Sequence, residues 1–191
     1  MSLLHKISYI QNSIDPTFRL ILETDWNSKN TQHRHEIRKC LSTKFSSHFS
    51  REQLALLNDL NWLPQASDGF VSISHCRVFG GFAFSKFKCG FDVEETKRIS
   101  HEILKRTSDP DELSSTPKTE FLWVAKECGF KALSQVDPEL VISDLVCTNW
   151  ESHFENRVFS FRLKSPKTLD FSLNKGFIFS ESDCLFGIYF R

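Results

Sequence analysis

Two acidic residues in one short segment, Asp92 and Glu94, could together hold a divalent cation. They stand two positions apart in Gly90-Phe91-Asp92-Val93-Glu94, and in a β-strand such side chains point to the same face. Two neighbouring carboxylates repel each other unless a cation neutralises them. Magnesium binds one or two carboxylates together with water and phosphate oxygens. The spacing therefore indicates either a magnesium site or a solvated strand face next to a turn.

A second group of side chains lies on a predicted helix. Trp123, Glu127 and Lys131 are spaced four residues apart, which places them on one helix face. Glu127 and Lys131 form either an exposed ion pair, worth ~0.3–0.5 kcal/mol, or one wall of a cleft. The tryptophan on the same face favours the cleft, because a purely solvated helix face would leave a large aromatic side chain in water.

These two segments and a third one upstream resemble a known family. The acidic segment reads G-x-D-x-E and the segment 123–131 reads W-x-x-K-E-x-x-x-K. Both patterns are similar to the signature of 4′-phosphopantetheinyl transferases. The segment 72–76 resembles the N-L-S-H-S strand of that family, and Asp111 with Glu112 stands where the family often has an acidic residue. The resemblance covers residues 70–134 and includes all of these motifs in the family's order.

The resemblance implies an activity, a fold and a set of ligands. Members of the family transfer 4′-phosphopantetheine from coenzyme A to a serine of an acyl or peptidyl carrier protein, with magnesium, and release 3′,5′-ADP. The length of 191 residues is similar to that of the two-half, surfactin-synthetase-activating type. The implied fold is α+β and monomeric. Its two similar halves, residues 1–85 and 86–191, are related by a pseudo-twofold axis with coenzyme A between them.

The same resemblance implies roles for individual residues. Asp92, Glu94 and Glu127 are the implied metal ligands. Glu127 and Lys131 are the implied catalytic residues, and Glu127 acts either as the base for the serine proton or as a metal ligand. The implied coenzyme A ligands are two lysines, a histidine and two arginines: Lys126, Lys131, His75, Arg34 and Arg38.

The chain departs from the family pattern in several places. The stretch 63–69 has no lysine where the family usually has a G-K-P element. Arg34 or Arg38 on the first long helix either compensates for it or belongs to a basic solvated helix face. Ser72 stands in place of the usual asparagine, and Gly129 within a helix costs ~1 kcal/mol relative to alanine. His33 and His35 diverge on a helix, and we expect a solvated face there rather than a metal pair.

Two other functions remain open on the sequence. One is a non-catalytic relative that binds coenzyme A or a carrier protein, since the N-terminal half is altered. The other is a metal-dependent nuclease, because Asp68 and the later Glu95-Thr96-Lys97 fit a loose D…E-x-K pattern. The chain has 24 basic and 24 acidic residues and no net charge. We therefore expect neither nucleic acid nor a membrane surface as a partner.

The cysteines and the N-terminus bear on the cellular compartment. Six cysteines are scattered along the chain without a C-x-x-C pair, which is typical of reduced thiols in the cytoplasm. The first ten residues lack the apolar stretch of a signal peptide, and no apolar run approaches the ~20 residues of a membrane span. We therefore expect a cytoplasmic protein.

Hydrophobic periodicity predicts the elements that must position these residues. Alternation predicts strands at 3–10, 18–23, 71–74, 159–163, 169–173, 177–179 and 186–190, with a hairpin or meander over 78–94. Helical spacing and capping signals predict helices from Thr31, from Ser50 and over 117–134. The apolar face of the last helix is predicted to be Phe121, Val124, Cys128 and Leu133. Residues 95–120 are predicted to form one short helix within a loop.

Overall fold

The described residues form two antiparallel β-sheets with α-helices packed against them. This computed structural model describes residues 1–60, 63, 65–134, 136–155, 157–165 and 173–191. The helices are α1 (Leu3–Ile14), α2 (His33–Lys44), α3 (Arg51–Leu56), α4 (His101–Thr107), α5 (Pro110–Ser115) and α6 (Thr119–Leu133). The strands are β1 (Arg19–Glu23), β2 (Phe70–His75), β3 (Gly80–Ser85), β4 (Cys89–Glu95), β5 (Val146–His153), β6 (Val158–Lys164), β7 (Lys175–Glu181) and β8 (Cys184–Phe190). The predicted α+β class is confirmed.

Strands β1 to β3 form the first sheet and strands β4 to β8 form the second, so the chain passes from one sheet to the other between β3 and β4. The first sheet has the order β1-β3-β2 and the second has the order β4-β8-β7-β6-β5. β2 and β4 are therefore edge strands, one in each sheet. In the second sheet β4 pairs with β8, with Asp92 opposite Gly187.

Serine hydroxyls join the two sheets where β2 lies beside β4. The backbone N–H of Phe91 donates to Ser72 Oγ (2.9 Å), and the N–H of Val93 donates to Ser74 Oγ (3.3 Å). The edge N–H groups of β4 thus find partners without a continuous backbone ladder, which matters because an unpaired buried N–H is costly. We call this contact between β2 and β4 the serine seam.

Helix α6 packs across the second sheet and lies unusually close to β4. Phe121, Val124 and Cys128 are buried there, which confirms the predicted apolar face. A Cβ atom on Gly90 would collide with the backbone carbonyl of Cys128. Glycine in the G-x-D-x-E segment therefore lets the helix approach the strand, and this approach brings the helix face with Glu127 to the strand.

The strand predicted over residues 3–10 is wrong, because this segment belongs to helix α1. Ser2 caps the helix by accepting a hydrogen bond from the N–H of His5 (3.4 Å). Ile7, Ile10 and Ile14 recur at helical spacing, and all three pack in one apolar cluster with the second sheet. The apolar spacing of residues 3–10 therefore belongs to a helix and not to a strand.

The meander predicted over 78–94 is also wrong, since β3 and β4 lie in different sheets. β3 pairs with β1 and β2, whereas β4 pairs with β8. The hairpin instead joins β2 to β3, where the N–H of Cys76 donates to the carbonyl of Phe79 (2.7 Å). Alternation identified both strands, but it carries no information about which strand each one pairs with.

Two elements, α5 and β5, were not predicted. The sequence carried a signal for α5: Asp109 and Glu112 form a capping box, and Pro110 occupies the first turn. Alternation in the sequence does not reveal strand β5, because Asn149 adopts a left-handed conformation (φ 54°) and the pairing register shifts there. The strand predicted at 169–173 lies almost entirely outside the described residues.

The remaining predicted elements are confirmed. They are the strand at 18–23 (β1), the helices from Thr31 (α2) and Ser50 (α3), the strand at 71–74 (β2), the short helix within 95–120 (α4), the helix over 117–134 (α6), and the strands at 159–163 (β6), 177–179 (β7) and 186–190 (β8). Ser50 and Gln53 form a capping box at the start of α3, which is the capping signal behind the helix predicted from Ser50. Among the described residues, none of the helices combines the length and the apolar character needed to span a membrane.

Candidate functional site

A cleft of about 580 Å³ opens beside the serine seam. Its walls come from α2, β2, β4 and α6. The predicted site residues that line it are Arg34, Arg38, His75, Asp92, Glu94, Glu127 and Lys131, together with Trp123. Segments that are far apart in the sequence thus meet in one cavity.

Strand β4 supplies two carboxylates that project to the same wall of the cleft, as the sequence predicted. Asp92 is held firmly, because its Oδ1 accepts hydrogen bonds from Ser74 Oγ (2.8 Å) and Lys131 Nζ (2.7 Å). Glu94 Oε1 accepts hydrogen bonds from the guanidinium of Arg98 (3.3 Å) and the N–H of Glu95 (2.9 Å). Burial raises the pKa of Glu94, and the neighbouring Asp92 carboxylate adds to that rise.

Helix α6 supplies the opposite wall, with Trp123, Glu127 and Lys131 on one face. Burial raises the pKa of Glu127, and Asp92 raises it further by repulsion, while Lys131 acts in the opposite direction. Lys131 Nζ donates to Asp92 Oδ1, to Ser74 Oγ (3.0 Å) and to the carbonyl of Phe91 (3.1 Å). The lysine thus links the helix to β4 and to the serine seam.

The third wall is basic and comes from the first part of the chain. Arg34 and His75 line the cleft, and Arg38 lies deeper, where its guanidinium donates to the carbonyl of Leu57 (3.4 Å). His33 packs against His75 with the ring centroids 4.3 Å apart and the planes at 86°. The predicted solvated face is therefore wrong for His33, which is only 8% exposed.

His33 is buried because it lies in the first turn of helix α2, on the side of the helix that packs against the first sheet. His33 Nδ1 donates to the carbonyl of Asn30 (2.6 Å), which fixes the ring. His35 is exposed, as expected. The i, i+2 spacing predicted correctly that the two rings diverge, but it could not indicate which of them faces the protein.

Lys126 does not reach the cleft, so the structure does not support its predicted contact with coenzyme A. Its side chain is fully buried, and Nζ donates to Glu112 Oε2 (2.6 Å) and to the carbonyl of Thr107. The other oxygen of Glu112 accepts a hydrogen bond from the N–H of Cys147 (2.7 Å). Lys126 and Glu112 therefore tie α6 to α5 and β5, on the far side of the helix from the cleft.

The carboxylates of the cleft have the chemistry of a magnesium site. Asp92, Glu94 and Glu127 all face the cavity. Burial, with a smaller contribution from the neighbouring carboxylates, raises the pKa of both glutamates, and a divalent cation would stabilise their ionised forms. Within the part of the chain that the structure describes, no three or more His, Cys, Asp or Glu side chains form a preassembled metal cluster. The donor set fits the ion in type and in charge.

Ser74 is a site residue that sequence reasoning did not single out. Its hydroxyl contacts Asp92, Lys131 and the N–H of Val93 at once. The available signal was the alternation of Ser72 and Ser74 in β2, which places two hydroxyls on one strand face.

The residues of the nuclease pattern do not gather at this cleft. Asp68 accepts a hydrogen bond from His48 Nδ1 (2.9 Å), and Glu95 pairs with Lys97 (3.1 Å). Among the described residues, neither Asp68 nor Glu95 lines the cavity.

The electrostatic layout of the cleft suits a ligand with several phosphates. An acidic strip on β4 and α6 can hold a cation, and the guanidinium of Arg34 can bind phosphate oxygens directly. Burial lowers the pKa of His75, so this side chain offers a phosphate a neutral ring N–H rather than a positive charge. Neither protein-family models nor curated proteins gave a match to this chain.

Proposed function

We propose that this chain transfers 4′-phosphopantetheine from coenzyme A to a serine of an acyl or peptidyl carrier protein. The observation that carries the proposal is the meeting of three walls in one cleft. They are the acidic strand face at Asp92 and Glu94, the helix face at Glu127 and Lys131, and the basic wall at Arg34 with its neighbour His75. Such a cleft can hold a pyrophosphate and a divalent cation together.

The transfer is a displacement at phosphorus. The oxygen of the carrier serine forms a bond to the pantetheine-side phosphorus, the bond from that phosphorus to the bridging oxygen breaks, and 3′,5′-ADP leaves with the electron pair. The serine hydroxyl proton must pass to a base. Glu127 suits this role, because burial beside Asp92 raises its pKa and so makes its carboxylate a better proton acceptor than an exposed glutamate.

Positively charged groups stabilise the charge that grows on the phosphate oxygens. A magnesium ion held by Asp92 and Glu94, with Glu127 as a third ligand where it does not serve as the base, would supply neutralising charge at the pyrophosphate. Lys131 stands beside Asp92, from where its ammonium group can bind a non-bridging oxygen. Ser74 orients both partners of this pair.

We propose that the basic wall binds the nucleotide end of coenzyme A. His75 and Arg34 can bind its phosphate, and Arg38 adds positive charge deeper in the cleft. Arg34 is exposed and can approach a ligand from α2, which would compensate for the missing lysine before β2.

All six cysteines are free thiols, which supports a cytoplasmic setting for the reaction. We propose a monomer as the active form.

A second function, binding without transfer, is favoured by one observation. Asp92 already bonds to Lys131 and Ser74, and Glu94 already bonds to Arg98. A relative that binds coenzyme A or a carrier protein would keep such a network and would need no cation.

The deciding experiment is mass spectrometry of an apo carrier protein incubated with the chain, magnesium and coenzyme A. We expect a phosphopantetheine adduct on the carrier serine. The adduct should be lost with Asp92→Ala and Glu127→Ala, and retained with Glu102→Ala, which changes an exposed acid on α4. The absence of an adduct with fatty-acid, polyketide and peptide-synthetase carriers would contradict the proposal.

Thermal unfolding with ligands separates the remaining functions. Coenzyme A at 100 times its dissociation constant should stabilise the chain by ~2.7 kcal/mol, whether or not transfer follows. Stabilisation by coenzyme A without adduct formation would indicate the binding function. Stabilisation by magnesium with DNA, and none by coenzyme A, would indicate a nuclease.

A further inference from the structure

Two cysteines from different sheets meet in the core next to the cleft. The Sγ atoms of Cys76 and Cys184 are 3.8 Å apart, and the residues are 1% and 0% exposed. Cys76 follows β2 of the first sheet, and Cys184 begins β8 of the second. They therefore form a sulfur–sulfur contact across the junction of the two halves of the chain.

The two sulfur atoms have different surroundings. Cys76 Sγ accepts hydrogen bonds from the N–H groups of Val78 and Phe79, both at 3.4 Å, and such donors stabilise negative charge on sulfur. Cys184 lies opposite Glu95 in the sheet, and burial raises its pKa to about 12, with Cys76 and the nearby carboxylates adding to the rise. The two N–H contacts single out Cys76 as the sulfur that reacts first, and the 3.8 Å contact places Cys184 to react second.

We propose that Cys76 and Cys184 are a redox modification site, which forms a reversible disulfide with peroxide as the oxidant. The Cys76 thiolate attacks one oxygen of hydrogen peroxide, which gives a sulfenic acid and hydroxide. The Cys184 sulfur then attacks the oxidised sulfur, the S–S bond forms, and the hydroxyl group leaves as water. Two thiols and one peroxide become one disulfide and two waters, and a small dithiol reverses the reaction by exchange.

The contact distance indicates which part of the protein must move. A disulfide has an S–S distance of about 2.0 Å, so the sulfur atoms must approach each other from 3.8 Å. Cys184 belongs to β8, which is hydrogen-bonded to β4 on one side and to β7 on the other. Cys76 lies in the short turn between β2 and β3, outside the strand ladders, where its backbone bonds with Phe79 and Ser28 at 2.7 Å each. We therefore expect closure of the S–S distance to displace this turn rather than the central strand.

Movement of that turn would reach the cleft. Cys76 directly follows His75, which lines the cavity, and β2 also carries Ser74 of the serine seam. Oxidation should therefore displace part of the basic wall and weaken ligand binding in the cleft. Only this last step rests on the proposed function, because disulfide formation itself requires no ligand.

The first test is oxidation of the full folded chain with hydrogen peroxide, followed by alkylation of the remaining thiols and mass spectrometry. We expect a product lighter by two hydrogen atoms, with residues 76 and 184 joined in one peptide pair, and recovery with dithiothreitol. Cys76→Ser and Cys184→Ala should each abolish this product. Cys89→Ser should retain it, because Cys89 is buried but its thiol contacts the carbonyl of Phe70 instead of another sulfur.

The second test measures unfolding of the oxidised and reduced forms. The disulfide closes a long loop, so the oxidised wild type should unfold at a higher denaturant concentration, and peroxide should not shift the transition of either cysteine variant. A wild-type chain that stays folded in peroxide with all six thiols reactive to alkylation after unfolding overturns the proposal. A disulfide between any other pair of cysteines overturns it as well.

The consequence for the cleft is measured separately, by calorimetric titration of coenzyme A into oxidised and reduced chain. We expect severalfold weaker binding to the oxidised wild type and equal binding to peroxide-treated and untreated Cys76→Ser. Equal binding to both wild-type forms would overturn the effect on the cleft. If coenzyme A binds neither form, the proposed function fails, while the mass and unfolding measurements still decide whether the disulfide exists.

Discussion

Two lysines on helix α6 show how position on one helix separates a structural residue from a functional one. Lys126 pairs with Glu112 at 2.6 Å, and Lys131 pairs with Asp92 at 2.7 Å. The side chains of the first pair are 0% and 3% exposed, whereas Lys131 in the second is 29% exposed. The geometry of the two ion pairs is nearly the same, but their access to solvent and ligand differs.

The difference follows from the helix and from what packs on each of its faces. Residues five apart point about 140° away from each other on a helix, so one lysine enters the core while the other faces the cleft. A fully buried lysine stays paired with its carboxylate, because separating the two buried charges would cost several kcal/mol of free energy. A half-buried lysine can exchange one oxygen ligand for another, which is what phosphate binding requires.

The largest change in the free energy of unfolding should come from breaking the buried ion pair of Lys126 and Glu112. Lys126→Met leaves the carboxylate of Glu112 buried without its cation, and we expect a loss of ~3–5 kcal/mol in the free energy of unfolding. Urea denaturation measures this loss, with Lys105→Met on the exposed side of α4 as the control. The double variant with Glu112→Leu should recover part of the loss, because no unpaired charge then remains. An unchanged midpoint for Lys126→Met would contradict the structural role.

The serine seam gives the next largest effect and connects the two sheets with Lys131. Ser72→Ala and Ser74→Ala each leave one N–H of β4 without its hydroxyl partner, and each should cost ~1–3 kcal/mol in urea denaturation. Only Ser74 contacts Asp92 and Lys131. Coenzyme A binding should therefore weaken in Ser74→Ala and stay nearly constant in Ser72→Ala. Equal loss of binding in both variants would mean that the seam acts only through stability.

Replacing the cleft lysine should weaken coenzyme A binding by more than it lowers the free energy of unfolding. Lys131→Met removes bonds from a half-exposed amine while Asp92 keeps its bond to Ser74, so we expect a loss of about 1 kcal/mol in the free energy of unfolding. We expect at least a tenfold loss of affinity for coenzyme A, equivalent to about 1.4 kcal/mol, by calorimetric titration. If Lys131→Met destabilises the chain as much as Lys126→Met does, the contrast between the two lysines is wrong.

The smallest effect is a pH-dependent gain of stability on neutralising Glu127. Its pKa is raised in the folded chain above the ordinary value of 4.5, so the folded state holds the proton more tightly than the unfolded state. Stability therefore falls as pH rises through the raised pKa. Glu127→Gln should be more stable than wild type at pH 8, and the difference should vanish below pH 4.5. Glu120→Gln, in the first turn of the same helix, serves as the control, and a difference independent of pH would contradict the assigned cause.

The parts of the site that could be predicted from the sequence depend on local periodicity. The strand alternation placed Asp92 and Glu94 together, and the helical spacing placed Glu127 and Lys131 on one face, because these relations are fixed within each element. The burial of Lys126 could not be predicted in this way. It depends on α5 and β5, and the helix sequence alone does not indicate which neighbours cover each face.

The errors in the fold have a related cause. Short apolar segments were recognised, but α1 was assigned the wrong period, and β3 was given the wrong partner. Pairing between strands that are far apart in the chain is decided by the packing of the whole molecule. The capping box at Asp109 and Glu112 was a local signal, and α5 could have been predicted from it.

The pairing of β4 with β8 has a consequence for the order in which the parts of the molecule fold. Among the described residues, the strand with Asp92 and Glu94 has β8 as its backbone pairing partner, about a hundred positions later. Contacts of such long sequence separation form slowly, and a chain emerging from the ribosome folds from its N-terminal part. The first sheet can therefore assemble while β4 is still without a neighbour. The acidic wall of the cleft should be among the last parts of the protein to mature, and a chain truncated before Cys184 should lack it.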